Sequence, residues 1–127
     1  QKYNSSGTNQ WTKQLGTSSC DEVWQPGSTV TDSSGNIYVT GQTAGNLDGN
    51  TNSGSEDIFL LKYNSGGTKQ WTKQIGSSSS DSATGLAIDN SSNIYVVGYT
   101  EGGLDNNTNL GNRDFFILKF NSNGVLQ

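Results

Sequence analysis

The chain has no histidine and no methionine, and only one cysteine and one proline in 127 residues. The histidine and cysteine scarcities each remove a class of function. Without histidine there can be no histidine-based triad or proton shuttle. The single cysteine, Cys20, excludes an internal disulfide and a multi-thiolate metal site. With no imidazole to activate it, Cys20 reads as a small structural residue or a disulfide partner of another copy, not a nucleophile. Seven Lys and Arg against eleven Asp and Glu give a net charge of −4. No basic cluster forms the patch that nucleic acid requires. The longest apolar run is far too short to cross a bilayer as a helix, so no membrane insertion is expected. The chain opens on Gln1, as a processed or excised segment does, so the lack of a leader carries no weight.

Only 29% of the residues are apolar, which alone would suit a disordered chain. They are gathered, however, into short dense runs at residues 37–39, 58–61, 94–97 and 115–118, and clustering of that kind predicts strands separated by polar turns. The runs recur. KYNSGGTKQWTKQIG at residues 62–76 restates KYNSSGTNQWTKQLG at residues 2–16, and NIYVVG at 93–98 restates NIYVTG at 36–41. Trp11 and Trp71 are 60 positions apart, whereas Gly41 and Gly98, Asp57 and Asp114, and Lys62 and Lys119 are each 57 apart. The difference falls between Asp21 and Asp32, where the first repeat carries three extra residues. Residues 118–127 stand in the same phase as residues 1–10.

Each period holds four expected strands: residues 28–31, 36–43, 57–64 and 68–75 in the first repeat, and 86–89, 93–100 and 114–121 in the second, with a fourth to follow Gly124. Turn residues separate them, as in Asp32-Ser33-Ser34-Gly35 and Asn64-Ser65-Gly66-Gly67. Short turns make neighbouring strands antiparallel, and no segment has the period of an amphipathic helix. Four antiparallel strands in somewhat under 60 residues make the unit of a β-propeller blade. The expected fold class is all-β, with about two blades that cannot close a ring. It forms a single segment, 1–127, in which 1–16 ends one blade, 28–76 is a complete blade, and 86–127 lacks its fourth strand.

The same residues carry a family resemblance. Asp81, Ala83, Gly85, Ala87 and Asp89 are followed by Asn93 to Gly98 and then by Gly111, Asp114, Phe116, Lys119 and Phe120; Gly54, Asp57, Phe59, Lys62, Tyr63, Gly67 and Trp71 are the earlier equivalents. This order resembles the SBBP, or seven-bladed β-propeller, repeat of bacterial and archaeal surface and secreted proteins. The resemblance covers essentially the whole chain. It implies the propeller fold and an extracellular or cell-surface setting, and no common activity. The chain departs from the pattern at residues 22–31, which lack the Ala and Gly positions and insert Trp24, Pro26 and Gly27.

Propellers close with about 4–8 blades, so a two-blade segment leaves strand edges open to pairing. An orphan fourth strand at residues 8–15 could complete the last blade of another copy by strand addition, and head-to-tail contacts of this kind form rings or filaments. Thr8, Gln10, Trp11, Lys13 and Leu15 on the donated strand, with Phe116, Leu118 and Phe120 on the accepting one, are the expected assembly residues. Flanking repeats in a longer polypeptide would fill the same role.

No acid and base pair is marked for catalysis, because Asp57, Asp81, Asp89 and Asp114 recur in phase as scaffold, and no enzyme is expected. The long loops offer oxygen ligands at alternate positions, Asp48, Asn50, Asn52 and Asp57 in one repeat and Asp105, Asn107, Asn109 and Asp114 in the other, as a Ca2+ loop would. They lack the glycine and the bidentate Glu of an EF-hand, and Asx turns account for the same residues. Trp11 and Trp71 share a phase and are expected to pack between blades. Trp24 has no counterpart and is the aromatic expected to make a contact particular to this molecule. The alternative to assembly is thus an extracellular binding module for a carbohydrate or protein ligand, with or without Ca2+.

Overall fold

The computed structural model describes all residues 1–127. Ten strands follow in order: β1 (Lys2–Tyr3), β2 (Asn9–Trp11), β3 (Asp21–Glu22), β4 (Thr29–Thr31), β5 (Ile37–Thr43), β6 (Asp57–Tyr63), β7 (Lys69–Ile75), β8 (Asp81–Ile88), β9 (Ile94–Thr100) and β10 (Asp114–Phe120). They form a hairpin β1-β2, a first blade in which β3 and β4 both pair with β5 and the order continues β6-β7, and a second blade β8-β9-β10. All of these pairings are antiparallel. The ring is not closed.

The turns explain why the strands begin where they do. In the first blade the Asp32 carboxylate accepts the N–H groups of Ser34 and Asn36, the Asn36 side-chain amide and the Tyr38 hydroxyl. Asp89 repeats all four bonds with Ser91, Asn93 and Tyr95. Between the third and fourth strands an asparagine does the equivalent work: Asn64 Oδ1 accepts from Gly66 and Thr68, and Asn121 Oδ1 from Asn123 and Val125.

The NIYVxG motif has a steric reason. Gly41 lies opposite Phe59 and Gly98 opposite Phe116 across the ladder, and a Cβ on either glycine would overlap both the ring and an inner-strand carbonyl, Glu22 or Ser82. The phenyl ring occupies the space that the missing side chain leaves. Inner strand β8 carries a bulge between Ala83 and Gly85. At the same place in the first blade the strand is interrupted: Asp21 and Glu22 pair with Thr43 and Gln42, pairing resumes at Thr29 opposite Val39, and residues 23–28 loop out between. The extra residues enter where the ladder is already irregular. The expected inner strands at 28–31 and 86–89 are therefore corrected to two pieces in the first blade and to a longer Asp81–Ile88 in the second.

The core lies between the blades. Tyr38, Ile58 and Leu60 from the first pack with Ile94, Val96, Leu104, Phe116, Leu118 and Phe120 from the second. On the other face of the first blade, Leu47, Phe59, Leu61 and Tyr63 form a smaller cluster with Leu15, Ile37 and Val39. The side chains of Phe116, Leu118 and Phe120, expected at an assembly contact, lie in this internal core, because the strand alternation turns them toward the preceding blade.

The amino-terminal segment stands toward the first blade as β7 stands toward the second. The Trp11 indole lies on Gly67 as Trp71 lies on Gly124. Lys2 Nζ donates to the Ser65 carbonyl and Lys62 Nζ to the Ser122 carbonyl. Trp11 also stacks on Tyr63 at 6.4 Å between ring centroids. The segment thus holds the place of the fourth strand of a preceding blade. The expected strand at residues 8–15 is nevertheless a strand only at Asn9–Trp11, paired with β1, because no third strand lies alongside residues 12–15.

Candidate functional site

Two positions on β10 identify the candidate site. Phe115 and Ile117 are 84% and 64% exposed, whereas Ile58 and Leu60, 57 positions earlier on β6, are 2% and 1% exposed beneath the second blade. With Val97, also exposed on β9, they give the second blade an apolar outer face. The face of the first blade turned away from the second is also partly open. A cleft of about 480 Å³ there is lined by Lys13, Leu15, Val23, Val39, Phe59 and Leu61, among others.

Along the free edge of β10 runs a second cleft of about 500 Å³, bounded by Gly102, Leu104, Asp105 and Asp114. Residues 121–127 turn back beside β10 through one bridge, Phe120 to Leu126, and bonds from the Asn121 N–H to the Val125 carbonyl and from the Gln127 N–H to the Lys119 carbonyl. In the first blade β7 fills the corresponding space and is held by its side chains. Gln74 Nε2 donates to the Gly45 carbonyl at 2.9 Å and to Asp57 Oδ2 at 3.1 Å, while Gln74 Oε1 accepts the Leu47 N–H at 2.9 Å. The Thr72 hydroxyl donates to Asp48 Oδ2, and Lys69 pairs with the same carboxylate.

Those contacts disperse the expected cation ligands. The Lys69 ammonium, and after it the Thr72 hydroxyl, hold the Asp48 carboxyl below its usual pKa. Asn50 donates its amide to the Leu47 carbonyl, Asn52 Oδ1 accepts the Gly54 N–H, and Asp57 Oδ2 accepts the Ser53 N–H. In the second blade Asn107 donates to the Leu104 carbonyl, Asn109 Oδ1 accepts from Gly111, and Asp114 Oδ2 accepts from Leu110. Asp105 is exposed, with a left-handed φ of 50°. Nowhere does the fold bring three acidic or thiol side chains together as a metal centre requires.

The profile of the SBBP family, described as a beta-propeller repeat, matches residues 10–48 and 70–105, more than half of the chain. The chain belongs to the SBBP family. No curated protein matches it. Each matched SBBP stretch runs from the fourth strand of one blade into the loop after the second strand of the next, so it spans a junction between blades.

The departure from the SBBP pattern forms a third feature. Trp24, 64% exposed, shares a cleft of about 250 Å³ with Gln25, Gln42, Ser82, Thr84 and Tyr99. The Gly27 carbonyl accepts the Leu86 N–H, which ties the inserted loop to the second blade. Below it, Gln42 Nε2 donates to Glu56 at 2.9 Å, and Ser80 donates to the same carboxylate. Cys20 is exposed and free, and its thiol donates to Glu22 Oε1 at 3.1 Å. That hydrogen bond, and then the Glu22 charge, raise the thiol pKa, the opposite of what a nucleophilic thiolate needs. Sequence reasoning missed Phe115 and Ile117, which lie within the apolar run at residues 115–118 but face outward.

Proposed function

We propose that the chain is a non-catalytic, extracellular structural module that stacks head to tail with further copies or with flanking repeats, building a ring or a surface filament. The exposure of Phe115 and Ile117, at positions where Ile58 and Leu60 are buried by the next blade, carries this reading. Fully burying such a side chain contributes about 1.5–3 kcal/mol, so a covered face is strongly favoured over a wet one. The 480 Å³ cleft on the first blade is the surface that a preceding copy would meet. The extracellular setting rests on the SBBP resemblance.

Sedimentation tests the reading. Wild-type chain should associate as concentration rises, and a Phe115→Asp/Ile117→Asp double variant should stay monomeric with an unchanged β spectrum. A wild-type chain that remains monomeric at millimolar concentration overturns it.

The exposed Trp24 supports a second reading, a binding module in which a sugar ring or a ligand side chain stacks on the indole beside Gln25 and Tyr99. Soluble oligosaccharides and peptides that quench tryptophan fluorescence in the wild type and fail to do so in Trp24→Ala would support it. Equal quenching in both would remove it.

A further inference from the structure

The loop inserted into the first blade is held rigid beside polar groups that the fold itself leaves unused. Gln25, Pro26, Gly27 and Ser28 make a type II turn, with Pro26 at its second position, Gly27 at φ 97° and the Ser28 N–H donating to the Gln25 carbonyl at 3.3 Å. Both sides of the turn are anchored. Glu22 pairs with Gln42 on β5 just before Trp24, and the Gly27 carbonyl accepts the Leu86 N–H at 3.1 Å just after it. Trp24 thus stands on a fixed support, and little freedom is lost when a ligand covers its indole.

The cleft of about 250 Å³ beside that indole is lined by neutral side chains from the insertion and from both blades. Ser82 on its wall is only 4% exposed, yet its hydroxyl makes no hydrogen bond within the protein. A polar group so deeply placed is ordinarily bonded. Gln42, also buried, gives its amide N–H groups to Glu56 Oε1 at 2.9 Å and Glu22 Oε2 at 3.4 Å, which fixes the side chain and leaves Oε1 as a free acceptor. One hydroxyl and one acceptor therefore await a group that enters the cleft.

We propose, resting on the reading of the chain as a binding module, that this ligand is a single neutral pyranose ring stacked on Trp24. The C–H face of the sugar covers the indole, one ring hydroxyl donates to Gln42 Oε1, and a second bonds Ser82 Oγ. Size agrees with one ring, because sites that enclose a whole drug-sized ligand run from roughly 300 to 1,000 Å³. Charge separates the neutral sugar from its competitors. The Glu22 and Glu56 carboxylates behind Gln42 repel an acidic sugar, and Arg113, over the Tyr99 ring at 4.3 Å, is neutralised by Glu101 at 2.8 Å. A cationic side chain finds no open carboxylate, since all four oxygens of Glu22 and Glu56 already accept from Cys20, Gln42 or Ser80.

The test is NMR titration of the isotope-labelled full chain with the methyl pyranosides of glucose, galactose and mannose, with methyl glucuronide and acetyl-lysine amide alongside. At least one neutral pyranoside at tens of millimolar should shift the Trp24 indole N–H and the Gln25 and Ser82 amides, and leave the Trp11 and Trp71 indoles in place. Methyl glucuronide should bind about tenfold more weakly. Ser82→Ala, which removes only the unused hydroxyl, should weaken sugar binding about three- to tenfold with Tm unchanged, and Trp24→Ala should abolish it. Failure of every neutral pyranoside, equal binding of the glucuronide, or undiminished binding by Ser82→Ala overturns the proposal. If acetyl-lysine amide alone shifts the Trp24 indole, the binding-module reading survives with another ligand; if nothing shifts it, that reading falls too.

Discussion

Gly98 lies directly opposite Phe116 across the β9-β10 ladder, and a Cβ on the glycine would come within 2.7 Å of Phe116 Cζ. The same Cβ would overlap the Ser82 carbonyl, a backbone atom that cannot move aside without breaking the inner strand. Gly98→Ala should therefore destabilise the fold by about 3 kcal/mol or more. Phe116→Ala, which empties the same space from the other side, should cost about 3–5 kcal/mol. Urea unfolding followed by circular dichroism checks both.

Ser92 offers the opposite effect. It has φ 62° in the turn between β8 and β9, where the first blade has Gly35 at φ 75°. A left-handed non-glycine residue costs about 1–2 kcal/mol, so Ser92→Gly should raise Tm by about 4 °C in this size range. Thermal denaturation of the single variant is sufficient.

The turn carboxylates set the acid response. Burial works to raise the Asp32 pKa, yet the Asn36, Tyr38 and Ser34 hydrogen bonds together hold it below the usual value. Asp89, bonded first to Asn93, is lowered as well. A carboxyl lowered on folding contributes stability fully present above its unfolded pKa of about 4, and that stability is lost as pH falls through the folded value. The urea midpoint should hold from neutral pH down to about 5 and then drop steeply. Asp32→Asn/Asp89→Asn should start lower at neutral pH and show a flatter acid limb. Tyr38, pushed up to about 12 by burial and then by Asp32, stays protonated throughout this window.

Truncation tests the stacking proposal from the amino-terminal side. Removing residues 1–16 uncovers the first blade, where Trp11 lies on Gly67 and Leu15 packs with Phe59 and Leu61, and should abolish association. Sedimentation equilibrium of the truncated and full chains checks it.

Calcium should leave the protein unchanged. Asp48 is committed to Lys69 and Thr72, and Asn50, Asn52 and Asp57 to their own loop. Tm with excess Ca2+ and with chelator should agree within about 1 °C; a larger rise would restore a loop site.

Strand order and turn positions were legible because apolar runs and turn residues alternate at short range. The side-chain direction of β10 was not. Phe115, Phe116, Ile117 and Leu118 are all apolar, so a period of two gives no sign of which face meets the preceding blade. Phase with β6 resolves it only once the blade-to-blade packing of Ile58 and Leu60 is known. The split inner strand was half legible: the three extra residues could be counted, but the bulge beside Thr84 that accommodates them is a backbone feature with no residue signature. Residues 8–15 read as a strand because they copy β7, yet strand geometry needs a neighbour, and at residues 12–15 the chain supplies none. Asp48 looked like a ligand of its own loop because its partners, Lys69 and Thr72, lie a whole strand away.

The interruption between β3 and β4 bears on how such a blade can be modified. Glu22 and Thr29 keep the same partners on β5 that Ser82 and Leu86 have on β9, although six residues, 23–28, stand where 83–85 do. The irregularity works as an expansion joint, isolating the two ends of the inner strand from whatever length lies between them. A recognition loop of foreign sequence could be spliced in at Trp24 with the ladder on either side left in register, and the outer strands would not sense the change.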